Sequence, residues 1–247
     1  MVISIVIATF NAGNTLSRCL KSIIAQKGKD IEILVIDGGS KDETLLVISK
    51  YASDIAFWCS EKDEGIYDAW NKALMHTKGD WIMFLGADDY MLPGALQFYM
   101  DFIENNEVKD VDIISGKCEY VDEKGNLLSV NGSAYDFNIF KRYMNISHGS
   151  TLHNIKLFNE LGPFNLKYRI CADYEFLLRK ALDGRFIDKS IICMQTGGMS
   201  YSSRAVIETF NIRREKGYIS LAENLFLFVK GLASLEFRKI RDSIEKK

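Results

Sequence analysis

The chain of 247 residues is poor in proline, with two, and has no apolar run long enough to span a bilayer. The most apolar late stretch, Leu225 to Leu235, is about half of the roughly 20 residues a span requires, and Lys230 interrupts it. The five cysteines are odd in number and form no CxxC pair. A disulfide framework or a zinc site is therefore not expected, and a reducing cytoplasm fits best. Met1-Val2-Ile3 leads straight into strand-like sequence without a basic start, so no signal peptide is expected. Three nucleotide and nucleophile signatures are also missing. Without GxGxxG a dinucleotide-binding Rossmann site is disfavoured, without GxxxxGK[ST] a P-loop, and without GxSxG a hydrolase elbow.

What is present is a globular composition. At 47% hydrophobic and 26% charged residues, the chain holds enough apolar surface for one large domain or two small ones, and disorder is excluded. The net charge of −2 gives no reason to expect a nucleic-acid partner. It conceals an asymmetry: residues 212–247 carry nine Lys/Arg against five Asp/Glu, leaving 22 basic and 28 acidic groups in the preceding 211 residues.

Over the first 116 residues, short apolar runs alternate with helical stripes. Strands are expected at 3–8, 31–36, 55–59 and 81–85, with a fifth beginning at 112–115. Helices are expected at 15–26, 42–51, 67–77 and from Pro93 to about Glu104, proline suiting a first helical position. This alternation implies an α/β fold, a mostly parallel central sheet with helices on both faces. After Gly116 the rhythm changes. A hairpin turning at 123–126, helices at 155–161 and 173–182, a strand at 186–194 and two closing helices at 204–216 and 219–241 are expected.

Ligands of such sheets bind beyond the carboxyl ends of the strands. Polar clusters sit at four of those ends: Thr9-Phe10-Asn11, Asp37-Gly38-Gly39-Ser40, Glu61 to Gly65, and Asp88-Asp89. Two adjacent carboxylates can bind Mg²⁺ or Mn²⁺ together with a nucleotide's phosphates, or can cap the helix that follows. Asp37 can accept from a base edge or simply complete an Asp-Gly-Gly-Ser turn. Asn11 can face a ligand or cap the next helix. Asp173 and Glu175, two apart, do not share a helical face. One carboxylate at the cleft edge would serve as a general base while the other pairs, although helix-dipole stabilisation explains both. His148 and His153, five apart, lack the i,i+4 spacing of a helical zinc pair and read as loop or structural histidines before ligands.

Taken in order, these blocks resemble family 2 of the glycosyltransferases, inverting nucleotide-sugar enzymes with the GT-A fold. The resemblance covers roughly 3–198 and rests on Ser4-Ile5-Val6-Ile7-Ala8-Thr9-Phe10-Asn11, Val35 to Thr44, Glu61 to Lys72, Gly79 to Asp89, and Ala172-Asp173-Tyr174-Glu175. It implies that Thr9 and Asp37 contact the nucleotide base, with Asn11 beside them. Asp89 would be the metal ligand and Asp88 the ribose or sugar contact, although the family's spaced DxD is here an adjacent pair. Asp173 would be the catalytic base, and Gly65, Tyr67 and Asn71 would line the donor side. The implied donor is a nucleotide sugar, a UDP-sugar foremost, with Mn²⁺ or Mg²⁺ as cofactor. The alternative is a non-catalytic nucleotide-sugar binder or assembly protein. The implied division is a catalytic domain at 1–211, its nucleotide-sugar half 1–116 and acceptor half 117–211, followed by a basic helical appendage at 212–247.

Details after Gly116 resemble bacterial enzymes that assemble surface polysaccharide on a lipid carrier. In that setting the appendage would rest on the inner face of the plasma membrane, with Phe226, Phe228, Val229 and Leu232 as its apolar face. Packing on the body or a homodimer contact are the alternatives.

Overall fold

The structure, a computed structural model, describes residues 1–122, 124–195 and 201–245, with side chains as far as Phe237. Glu123 of the hairpin turn, residues 196–198 of the resemblance, Lys246 and Lys247, and the side chains of Arg238, Lys239 and Arg241 lie outside the described residues.

One nine-stranded mixed sheet organises the chain. Strand β1 (Ile3–Thr9) runs parallel to β2 (Ile31–Asp37) on one side and to β4 (Trp81–Gly86) on the other. β3 (Phe57–Ser60) extends the parallel set beyond β2. The period-2 alternation of each strand feeds two cores. Ile3, Ile5 and Ile7 pack on one face with Ile33, Val35, Met83 and Leu85, while Val6 and Ala8 pack on the other with Leu34, Ile36, Ile82 and Phe84. Helices α1 (Leu16–Ile24), α2 (Thr44–Lys50) and α4 (Ala95–Asn105) cover the first face. The second is covered by α3 (Ile66–Leu74), the four-residue α5 (Phe137–Phe140), α6 (Ile155–Leu161) and α7 (Ala172–Leu177).

Two strands escape the sequence reading. β8 (Thr151–Asn154) inserts antiparallel between β4 and β6 (Ile113–Val121), and the two-residue β5 (Tyr90–Met91) joins the far edge. The former is short and starts in a polar stretch, so its alternation is hidden. Because β8 is antiparallel to both neighbours, β6 points the same way as β4. β9 (Gly184–Gln195) runs parallel to β6, and β7 (Leu127–Asn131) closes the expected hairpin with it. The carboxyl ends of β1 to β4 and of β6 therefore share one edge.

Three boundaries differ from expectation. Pro93 lies outside α4, whose N-cap is Gly94 at φ 79°. The helix carrying Asp173 ends at Leu177 rather than 182. The expected division between 211 and 212 falls inside α8 (Ser203–Lys216), which turns at Gly217 into α9 (Leu221–Glu245). α9 packs on α8 through Phe228 against Phe210, 5.1 Å between rings, so Phe228 faces inward and Leu232 is half-buried. Phe226 and Val229 are exposed as expected, together with Leu221, Leu225 and Phe237. No helix among the described residues is long and apolar enough to cross a membrane.

Candidate active site

The β1 and β2 ends are stitched together. Asn11, at φ 47°, receives nothing from α1. Its amide N–H donates to Ser40 Oγ at 2.7 Å, and its Oδ1 accepts from the Lys41 N–H at 2.9 Å. Asn11 therefore braces the β2–α2 loop and does not cap the following helix. Thr9 is buried beside it, and its hydroxyl has no hydrogen-bond partner among the described residues. Asp37 is fully buried and saturated by its own turn together with Ser60 of β3. Oδ2 accepts from the N–H groups of Gly39 and Ser40 at 3.1 and 3.0 Å and from Ser60 Oγ at 2.6 Å, and Oδ1 accepts from Ser40 Oγ.

The β4 end is built differently. Asp88 is exposed, and its carbonyl accepts from Arg18 Nη2 at 2.8 Å. Asp89 is only 5% exposed, yet among the described residues its carboxylate takes just the Gly86 N–H, at a long 3.3 Å. Burial, reinforced by Asp88, pushes its carboxyl up to about 8 against the opposing Gly86 N–H and Arg18. A Cβ on Gly86 would lie 2.7 Å from Asp88 Oδ1 and 3.2 Å from Asp89 Oδ2, so only glycine lets both carboxylates fold back over the strand end. Two hard oxygen donors, one of them buried with little hydrogen bonding, fit Mg²⁺ or Mn²⁺. Among the described residues no three His, Cys, Asp or Glu side chains gather as a complete metal cage, so such an ion would need donor phosphates or water to finish its shell.

Opposite lies the α7 start. Asp173 Oδ1 accepts from Tyr67 Oη at 2.9 Å and from the Tyr174 N–H at 2.8 Å, while Oδ2 faces His148 Nδ1 at 3.9 Å. Its side chain keeps 18% of its surface open. Burial raises the carboxyl to about 6 against the Tyr67 and Tyr174 hydrogen bonds. Tyr67 Oη also reaches the Ile170 carbonyl at 2.7 Å. One hydroxyl proton thus serves two acceptors. A protonated Asp173 can donate to Tyr67 Oη while Tyr67 donates to Ile170, which gives an arriving proton a defined place. Glu175 points elsewhere, to Arg179 and Lys216, each at 2.7 Å.

Tyr67 and Asn71 do not present free polar groups to a donor. Asn71 makes a reciprocal pair with the Phe164 backbone, both bonds at 2.9 Å. Gly65 opens α3 at φ 116°, where a side chain would strain the turn. His148 is stacked on Trp70 and Phe84, and burial alone drops it to about 3, so it is a neutral wall residue beside Asp173. His153 is buried against it, 4.8 Å between rings, and burial lowers it too.

The parallel sheet with acidic residues on one carboxyl edge agrees with the comparisons. Residues 4–209 match the model of glycosyl transferase family 2. The chain belongs to that family. A PGL/p-HBAD biosynthesis glycosyltransferase of Mycobacterium bovis is 35% identical over 188 residues, covering 71% of this chain and 68% of the relative. An uncharacterized glycosyltransferase of Rickettsia conorii is 31% identical over 186 residues, 70% of this chain and 30% of the relative. The fold matches S. aureus TarS in complex with UDP-GlcNAc with a TM-score of 0.70 at 18% identity, covering 94% of this chain and 72% of that one. It also matches the mannosyltransferase PcManGT of Pyrobaculum calidifontis with GDP-Man and Mn²⁺, TM-score 0.65 at 17% identity, covering 94% and 74%. Both likenesses establish the GT-A architecture.

One contributor to the candidate site left no sequence signal. Glu208 of α8 accepts from three consecutive N–H groups, Arg169, Ile170 and Cys171, at 2.9–3.0 Å. It thereby pins the loop that delivers Asp173. The contact spans more than 35 residues and has no local pattern.

Proposed function

We propose that the chain is an inverting glycosyltransferase that moves a sugar from a UDP-sugar to a hydroxyl of a saccharide acceptor. The observation that carries this reading is a contrast between two carboxylates facing the same edge. Among the described residues Asp89 is buried with a single long hydrogen bond, and Asp173 is held through Oδ1 while its Oδ2 makes no hydrogen bond and faces the neutral His148 ring at 3.9 Å. Asp88 and Asp89 would hold a Mg²⁺ or Mn²⁺, which supplies Lewis-acid stabilisation of the departing nucleoside diphosphate. Thr9, Asn11 and Asp37 would form the base pocket, with Asp37 acting through the turn it braces.

Asp173 takes the proton of the acceptor hydroxyl as that oxygen bonds to the anomeric carbon. The bond from the anomeric carbon to the diphosphate oxygen breaks, and configuration inverts. A carboxylate raised to about 6 is ionised at neutral pH yet basic enough to share the proton in the transition state. The TarS complexes with UDP and UDP-GlcNAc support the choice of donor. The exposed apolar residues of α9 beside Lys230 support a peripheral contact with an anionic membrane bearing a lipid-linked acceptor. A cytoplasmic enzyme at the inner face of the plasma membrane is the matching location.

The test is a panel of nucleotide sugars, scored for UDP-dependent thermal stabilisation and then for hydrolysis or transfer with Mn²⁺ or Mg²⁺. Expected is metal-dependent turnover, lost with EDTA, giving a product anomer opposite to the donor's. Thermal stabilisation by UDP without turnover on any acceptor would instead identify a binding protein. Retention of configuration would remove Asp173 from its role. For the membrane contact, sedimentation with anionic vesicles at low salt should capture the chain, and Phe226→Asp should release it.

A further inference from the structure

Helix α8 holds the segment around Asp173 from both sides. Glu215 accepts from Lys167 Nζ and from Tyr168 Oη, the latter at 2.6 Å. Lys216 Nζ donates to Glu175 Oε1 at 2.7 Å. Between these anchors, Glu208 Oε2 takes the N–H groups of Ile170 and Cys171, both at 2.9 Å, and Oε1 takes that of Arg169 at 3.0 Å. The helix is itself seated by buried bonds. Arg213, 6% exposed, donates from Nε to Asn224 Oδ1 of α9 at 2.7 Å and from Nη1 to the Arg142 carbonyl at 2.9 Å. Glu208 is thus a fixed carboxylate on a fixed helix.

One peptide group connects it to the base. The Cys171 N–H and the Ile170 carbonyl are the two ends of the same peptide plane. The N–H end is given to Glu208, and the carbonyl end takes the Tyr67 hydroxyl at 2.7 Å. The same hydroxyl lies 2.9 Å from Asp173 Oδ1. A phenol has one proton to donate, so the two acceptors compete for it. A carboxylate on the N–H end polarises the peptide and makes its carbonyl the stronger acceptor. The Tyr67 proton is drawn toward Ile170, and Asp173 keeps less of it. The titratable side chains facing Asp173 among the described residues are Tyr67 of α3, His148, and Cys171 just before α7. Burial raises Tyr67 and Cys171 and lowers His148, so all three stay neutral where Asp173 titrates. The sharing of the Tyr67 proton is then the variable that sets how basic Asp173 is.

We infer that Glu208 is a positioning residue for the base, acting through the 170–171 peptide and the Tyr67 hydroxyl to keep Asp173 basic. The inference rests on the glycosyltransferase reading, which makes Asp173 the base, and adds a residue of α8 to that machinery. The expected boundary at 211 would cut this helix in the middle.

Carboxyl ¹³C NMR on the full chain tests it, with the Asp173 resonance assigned by its loss in Asp173→Asn. Glu208→Gln keeps an acceptor oxygen but loses the charge, so the Asp173 midpoint should fall by about half a pH unit or more. In a Tyr67→Phe background the same substitution should move it far less, because the connection is already cut. Ile207→Ala, an exposed neighbour on α8, should titrate like the wild type. An unmoved or raised midpoint in Glu208→Gln, or an equal fall with and without the Tyr67 hydroxyl, would overturn the inference. A second measurement does not depend on Glu208→Gln folding. The Cys171 amide proton should follow the Asp173 titration in the wild type and lose most of that response in Tyr67→Phe; a silent amide, or one equally responsive in both, would also overturn it. Donor turnover on the same samples separates the two ideas. Turnover with an unmoved midpoint sinks the role of Glu208 alone. The expected midpoints in a chain that turns over no donor uphold that role and sink the glycosyltransferase reading.

Discussion

Asp37 ends β2 and Asp89 lies three residues past β4, both at the carboxyl edge of buried parallel strands, yet the protein treats them in opposite ways. Around Asp37 two backbone N–H groups and two serine hydroxyls close on one carboxylate. Around Asp89 a single long N–H contact is left to offset burial, and the carboxyl rises to about 8. A buried carboxylate with its donors supplied is part of the scaffold. One without them is a place where another charge belongs. The adjacent Asp88 sharpens the contrast, since its charge adds to burial in raising the Asp89 carboxyl.

The largest expected effect breaks this comparison on its functional side. Asp89→Ala should cut transfer about 10³-fold while leaving the melting temperature within ~2 °C, measured by steady-state kinetics and calorimetry. Full activity in that variant would move the cation site elsewhere. Asp173→Asn should match it in kinetics, losing ~10²–10⁴-fold, yet keep UDP binding by calorimetry.

On the scaffold side, Asp37→Ala should cost about 3–5 kcal/mol, because two serines and two N–H groups lose a buried acceptor. Chemical denaturation measures this. If UDP affinity collapses while stability is untouched, Asp37 is a ligand group like Asp89 and the contrast fails.

A third prediction concerns pH. The raised carboxyl of Asp173 must ionise to act, so kcat/KM should climb as pH rises through about 6. Stability should move the other way. Its folded-state value is raised above the usual 3.8, so folding favours the proton. That contribution is intact below about 4 and fades as pH rises through about 6. Removing the Tyr67 hydrogen bond, which holds Asp173 down, should shift the kinetic limb upward in Tyr67→Phe and slow turnover about tenfold. An unmoved limb would mean that Asp173 does not titrate in the rate. The smallest effect is Asn71→Ala. Its amide is spent on Phe164, so about 1–2 kcal/mol of stability should be lost with UDP affinity unchanged.

Legibility followed sequence distance. Strands β1, β2 and β4 and helices α1, α3 and α4 were readable because their burial repeats every 2 or 3.6 residues within a short window. The polar clusters were readable as strand ends for the same reason. Strands β5 and β8 were not: two and four residues carry too little periodicity, and partners distant in the chain hold them in the sheet. The roles of Tyr67 and Asn71 were obscured in the same way. Both lie in a block that the family resemblance assigns to the donor side, but their hydrogen bonds run to Asp173, Ile170 and Phe164, more than 90 residues away.

The sequence by itself determined the alternating α/β core, the acidic strand ends and the family, because local periodicity and short ordered motifs survive without any knowledge of contacts. Only the tertiary structure decided which carboxylate is bracing and which is poised. Whether a buried oxygen is satisfied depends on donors brought from elsewhere in the chain, as Ser60 is to Asp37 and Tyr67 to Asp173, just as the N–H groups of the loop before Asp173 depend on Glu208 as their acceptor. Identical aspartates read alike in sequence; desolvation and hydrogen bonding, which exist only once the chain has folded, give them different work.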